Sequence, residues 1–187
     1  MTAIPAQVTT ERLRLILVTP EDAADMLAGR RQERWHPDYP RQDDLDAVSM
    51  IGSAVGGSPW GPRHVVHELR AVGTIGFYGP PDERDEVEIG YGLVQDVWRR
   101  GIATEAIAAL VAETDRIGVR VRASVLPWNV MSLRVLAKSG FTELRGADEE
   151  GQLVMARPLP RHLRGSTDGS TGGSTGGSTG GSTGGST

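Results

Sequence analysis

From Val87 to Val94 the chain places apolar side chains on alternate residues, the period of a strand with one buried face. From Ile102 the pattern changes. Ala103, Ala106, Ile107, Leu110, Val111 and Thr114 recur at three- and four-residue spacing, which predicts a helix from Ile102 to about Arg116. Between the two lies Trp98-Arg99-Arg100-Gly101-Ile102-Ala103. A strand that runs through a short basic turn into a helix leaves the first helical N–H groups unpaired and pointing outward, and the helix dipole adds partial positive charge. Such a turn suits a phosphate or pyrophosphate. A plain tight bend at Gly101 is the competing reading, because a short glycine-containing loop is a weak motif. There is no Gly-Lys-Ser/Thr ending, and Gly90, Gly92 and Gly101 do not fit the dinucleotide-binding register.

The same two periods organise the rest. Arg12 to Val18 reads as a first strand. Thr19-Pro20-Glu21-Asp22 supplies a cap, a proline at the first helical position and an early acid, so a helix follows to about Leu27 and stops at Gly29. The stretch 30–41 is polar and aromatic and broken by two prolines. Asp43 to Val55 reads as a second helix with Leu45, Val48, Met50, Ile51 and Val55 inward, followed by a loop at 56–59. Strands are expected at Arg63 to Leu69 and Val72 to Tyr78, as a hairpin, and at Glu86 to Val94 after a polar turn. Another runs from Arg120 to Leu126 and ends at Pro127. Asn129 to Ser139 forms a helix closed by Gly140, and strands at 141–144 and 152–158 complete the domain. This order describes an α/β (α+β) sandwich around a mixed sheet of about seven strands.

Composition narrows the picture. The 187 residues suffice for one domain, taken as 1–164, with an appendage. From Gly165 to the end the chain repeats Gly-Gly-Ser-Thr, which cannot bury enough apolar area to offset the entropy of ordering, so 165–187 reads as a flexible tail. The formal charge of −4 argues against general nucleic-acid binding. With no cysteine there is no disulfide, thiol nucleophile or cysteine-based zinc site, which fits a reducing cytoplasm. No secretory signal begins the chain and no apolar run reaches membrane-spanning length, so no membrane role is expected. His64 and His67 lie three apart on a strand and face opposite sides, and His36 and His162 lack neighbours in sequence, so no metal is expected.

Two stretches carry a family resemblance. One is Glu88 to Leu93 continued through Trp98-Arg-Arg-Gly-Ile-Ala-Thr-Glu-Ala106; the other runs from Ala123 through Asn129, Ser132 and Arg134 to Gly140-Phe141. Together they make the chain similar to GNAT-superfamily N-acetyltransferases, most of all the branch (RimJ/RimL-like) that acetylates ribosomal-protein N-termini. Trp98 stands where the family's loop usually begins with Gln or Arg. The resemblance implies a GNAT-like, mostly antiparallel twisted sheet with flanking helices and a V-shaped splay between the strands at 88–94 and 120–126. It implies acetyl-CoA as cosubstrate, with its pantetheine arm paired like an added strand to backbone at Leu93 and Val94. The N–H groups of Arg100, Gly101, Ile102, Ala103 and Thr104 would hold the pyrophosphate, with charge from Arg99 and Arg100, while Asn129 would bind the pantetheine amide. Glu88 is the candidate base, directly or through water, and Ser132 the group that protonates the leaving thiolate.

For each of these a plainer role competes. Glu88 can be a surface strand residue, and Asn129 and Ser132 can simply cap a helix. Arg134 and Lys138 read as a solvated face and Glu105 as structural. Trp35, His36, Asp38 and Tyr39 fall where the family's acceptor loop lies, and Tyr91 is either a pocket wall or core. The expected function is acetyl transfer to a primary amine, either a protein N-terminus or a small molecule, by direct attack in a ternary complex. The alternative is a non-catalytic acyl-CoA-binding sensor or interaction domain on the same fold. The expected protein is a cytoplasmic monomer or homodimer.

Overall fold

The computed structural model describes residues 4–50 and 58–158. Among these residues eight strands form one sheet in the order β1-β2-β3-β4-β5-β6-β8-β7. In chain order these are β1 (Gln7–Thr9), β2 (Leu13–Leu17), β3 (Arg63–His67), β4 (Arg70–Phe77), β5 (Glu86–Leu93), β6 (Arg120–Val125), β7 (Glu143–Ala147) and β8 (Leu153–Arg157). Among the described residues four α-helices flank them: α1 (Pro20–Leu27), α2 (Gln42–Met50), α3 (Ile102–Arg116) and α4 (Val130–Lys138). Every neighbouring pair is antiparallel except β5 and β6. The eighth strand, missing from the expected seven, is β1, whose three residues are too few to display an alternation. Residues 51–55 of the expected second helix and the whole Gly-Ser-Thr tail lie outside the described residues.

Local chemistry explains most boundaries. Thr19 Oγ1 accepts the Asp22 N–H at 3.1 Å and starts α1. Asn129 Oδ1 accepts the Ser132 N–H at 3.1 Å and starts α4. The β3–β4 hairpin turns on Glu68 and Leu69, both at positive φ (48° and 71°), the geometry that two-residue hairpins usually give to Asn-Gly. Leu13, Leu15, Val65, Ile75, Ile89, Ile107 and Leu110 fill the centre of the core.

Polar knots bind the α1 side of the sheet. His64 is buried on β3, its Nε2 3.1 Å from Asp22 Oδ2 and its Nδ1 2.7 Å from the Tyr39 hydroxyl. Asp22 also receives Gln32 Nε2 at 2.9 Å and pairs with Arg34. Burial holds the His64 pKa below its ordinary value, and Asp22 only partly offsets this. Burial pushes Asp22 upward, but Gln32, His64 and Arg34 outweigh it and leave its pKa lowered. Trp35 and Tyr39 are both buried, and Trp35 bridges to Ala71 at the start of β4. These two residues are therefore core rather than the walls of an acceptor pocket.

Candidate active site

The parallel pairing of β5 with β6 covers only Glu86 to Glu88 against Arg120 to Arg122. Beyond Glu88 the pairing ends, although β5 runs on to Leu93 and β6 to Val125. This is the V-shaped splay. The Tyr78 N–H donates to the Glu88 carbonyl and the Val94 N–H to the Val72 carbonyl, so alternate residues of β5 spend their backbone on β4. By the same alternation Tyr91 and Leu93 direct theirs into the gap. The Leu93 carbonyl is already committed there, to Arg41 Nη1 at 2.7 Å and Trp98 Nε1 at 2.8 Å. Val94 has its N–H engaged by Val72 and its carbonyl by the Val97 N–H at 3.3 Å, so Tyr91, not Val94, joins Leu93 on the gap side.

The gap leads to the basic turn. Arg99 adopts φ +60° and Gly101 φ +78°, two left-handed residues in three. That conformation is ordinary for Gly101 and strained for Arg99. It swings the chain into α3 with Gly101 as N-cap and no side-chain cap. The first intrahelical bond is the Glu105 N–H to the Gly101 carbonyl at 3.0 Å. Among the described residues, the N–H groups of Arg100, Gly101, Ile102, Ala103 and Thr104 meet no acceptor. Arg99 has no carboxylate partner among them, whereas Arg100 lies 3.6 Å from Glu68.

On β5, Glu88, Gly90 and Gly92 face α2, while Tyr91 faces α4. A side chain at Gly90 would collide with the Tyr78 ring, and one at Gly92 would approach Asp44 Oδ1. The bare strip floors a pocket of about 60 Å³ between α2 and the sheet, walled by Asp43, Ala47, Thr74 and Tyr78. Glu88 stands at the apex of the splay and pairs with Arg122 at 3.2 Å. Asp44 is buried. Its Oδ1 accepts from Thr74 N at 3.1 Å and Oγ1 at 2.6 Å, and its Oδ2 accepts the Arg41 N–H at 2.8 Å. Burial nevertheless raises its pKa. Tyr78, which no local motif marks, also lines this pocket. Burial, then the charges of Glu88 and Asp43, push its pKa up and keep the phenol protonated.

The residues matched by the model of the acetyltransferase (GNAT) domain are 12–142, which spans both the splay and the turn. The chain belongs to the GNAT acetyltransferase family. An uncharacterised N-acetyltransferase of Bacillus subtilis, YoaA, is 32% identical over 144 residues, 71% of this chain and 80% of that protein. RimJ of Mycobacterium smegmatis, solved in complex with CoA-disulfide, shares the fold at a TM-score of 0.59 and 23% identity, over 81% of this chain and 87% of that one. The ribosomal-protein-S5-alanine acetyltransferase of Vibrio fischeri does so at 0.59 and 17%, over 84% and 98%.

Within this GNAT domain the remaining candidate residues divide by face. Ser132 lies on α4, where its carbonyl accepts from the Tyr91 hydroxyl at 3.5 Å. Glu88 projects toward the α2 face of the same strand, so the two candidate proton-transfer residues flank β5 from opposite sides. Asn129 uses Oδ1 as a cap and keeps its exposed amide nitrogen without a partner among the described residues. His36 is not isolated: Asp96 Oδ2 lies 3.2 Å from Nε2, and the Asp38 N–H donates to Nδ1. Those three residues gather possible ligand atoms within 4.8 Å, but the ring is already satisfied by the two aspartates. Among the described residues no helix is long and apolar enough to cross a membrane.

Proposed function

We propose that this GNAT domain transfers an acetyl group from acetyl-CoA to a primary amine by direct attack in a ternary complex. The observation that carries the reading is the row of unpaired N–H groups from Arg100 to Thr104 at the end of a gap between two parted strands. The N–H donors suit a diphosphate, and Arg99 adds charge. The gap-facing N–H of Leu93 would pair with the pantetheine arm, and the Asn129 amide nitrogen with its carbonyl. The Tyr91 N–H points to where the thioester oxygen would gain charge.

In the reaction the amine nitrogen bonds to the acetyl carbon and the carbon–sulfur bond breaks. One proton leaves the nitrogen and one is gained by the thiolate. A terminal amine has a pKa near ~8, so it needs only a modest base. Glu88 would take that proton through water from the α2 side. Ser132, on the α4 side, would supply the proton to sulfur. The small pocket over Gly90 and Gly92 lies on the Glu88 side and is the natural entrance for the amine. One solved neighbour is named for a ribosomal-protein alanine, a residue whose only amine in a protein is at the N-terminus, so protein N-termini are the first acceptors to try.

A screen of N-terminal peptides and small amines, reporting release of free CoA, tests this. Turnover by wild type and its loss in Glu88→Gln support the proposal. Absence of CoA binding at millimolar concentration overturns it, and tight binding without turnover on any amine returns the chain to a sensor role.

A further inference from the structure

The first turn of α3 carries a carboxylate at the place where the diphosphate is proposed to sit. Glu105 lies one turn beyond Gly101. Helical side chains lean toward the helix N-terminus, so a relaxed glutamate there would approach the unpaired N–H groups and the positive end of the dipole. Lodged against them, it would compete with an anionic ligand for the same donors.

In the structure Glu105 is instead bound by residues distant in sequence. Thr10 Oγ1 donates to Glu105 Oε1 at 2.5 Å, and the Arg12 N–H donates to the same oxygen at 3.1 Å. Arg12 Nε donates to Oε2 at 2.7 Å, with Nη2 2.5 Å from that oxygen. Both carboxylate oxygens are thereby occupied. Arg12 Nη1 goes on to the Arg100 carbonyl at 3.1 Å. Partial burial alone would raise the Glu105 pKa, yet Thr10 and Arg12 bring it below its ordinary value.

We infer that Thr10 and Arg12 form a latch that draws the Glu105 carboxylate away from the start of α3 and keeps its N–H groups vacant for the coenzyme. Arg12 is a positioning residue, acting on Glu105 and on the Arg100 carbonyl. The inference rests on the proposed coenzyme site and adds a built-in competitor to it.

Titration of CoA into the purified full chain, with melting temperature measured alongside, tests the latch. Arg12→Ala is expected to weaken CoA binding by roughly tenfold, the size of one charge acting on a partly buried helix end. The double variant R12A/E105A is expected to recover most of that loss, because the competitor is gone. A double variant as weak as R12A overturns the latch and leaves Arg12 as a direct anion contact or a brace. Should R12A fail to fold, E105A alone decides: binding at least as tight as wild type supports the latch, and weaker binding overturns it. Failure of wild type to bind CoA is a different result, which removes the coenzyme site itself.

Discussion

Helix α4 begins with Asn129, whose Oδ1 caps the Ser132 N–H, while α3 begins with Gly101, which has no side chain to offer. Both helices follow a β-strand and flank the same splay. One spends most of its N-terminal donors internally, with a side-chain cap. Among the described residues the other leaves five successive backbone N–H groups without partners, and its own first-turn carboxylate, Glu105, is held by Thr10 and Arg12. The contrast separates a helix start that holds the chain together from one whose aligned donors are proposed for a ligand.

The contrast breaks most severely at Gly101. A side chain there costs about 1 kcal/mol or more for the left-handed φ, yet its Cβ meets only the Arg12 guanidinium at 3.5 Å, so the domain should still fold. Gly101→Glu adds a fixed anion to the vacant donors and is expected to abolish measurable CoA binding by calorimetry. Gly101→Ala, carrying strain without charge, is expected to bind about tenfold more weakly than wild type. Equal binding by all three would disconnect the turn from the coenzyme.

The next effect concerns rate alone. Glu88 touches neither helix start, and its partner is Arg122 on β6. Glu88→Gln is expected to lower kcat by about a hundredfold or more, with CoA affinity unchanged. A parallel loss of affinity would mean that the ion pair holds the splay in shape.

A third experiment probes the satisfied side. Tyr39→Phe removes the hydroxyl from His64 Nδ1 and leaves a buried polar atom unpaired, expected to cost about 1–3 kcal/mol in denaturant unfolding with little change in CoA affinity. The same knot sets a pH response. The folded pKa of His64 lies below the unfolded value near ~6.5, so the unfolded chain takes up the proton first. Stability is therefore full above that value and declines as pH falls through it. Asp22, with its pKa lowered, adds a loss only further into acid. Melting temperature should fall from about pH 7.5 to about 5.5, and His64→Asn should flatten that interval.

The elements of this comparison differ in how far sequence alone exposes them. Helix α3 matches its predicted span from Ile102 to Arg116, because a long amphipathic period is a local signal. Strand β5, the splay and the caps Thr19 and Asn129 were likewise legible from neighbouring residues and family motif. The latch was not: Thr10 and Glu105 are 95 positions apart, and no period relates them. Burial of Trp35 and Tyr39 was hidden for the same reason, since their partners Ala71, Met26 and His64 come from other elements. The β3–β4 turn was obscured because Glu68 and Leu69 occupy positions where glycine or asparagine would have announced it.

The smallest expected effect bears most directly on the contrast between the two helix starts. Asn129 is a cap through Oδ1, and its free Nδ2 is the group proposed to meet the pantetheine arm. Asn129→Ala removes both and is expected to cost about 1 kcal/mol of stability along with CoA affinity. Asn129→Asp keeps a capping oxygen and places a negative charge favourably at a helix start, but it has no N–H to donate. If Asn129 only caps, the aspartate variant melts and binds CoA like wild type. If its amide nitrogen holds the coenzyme, the same variant keeps its melting temperature while CoA binding weakens by about threefold to tenfold, the worth of a single neutral hydrogen bond. A helix start satisfied on one side and open on the other would then belong to both halves of the comparison.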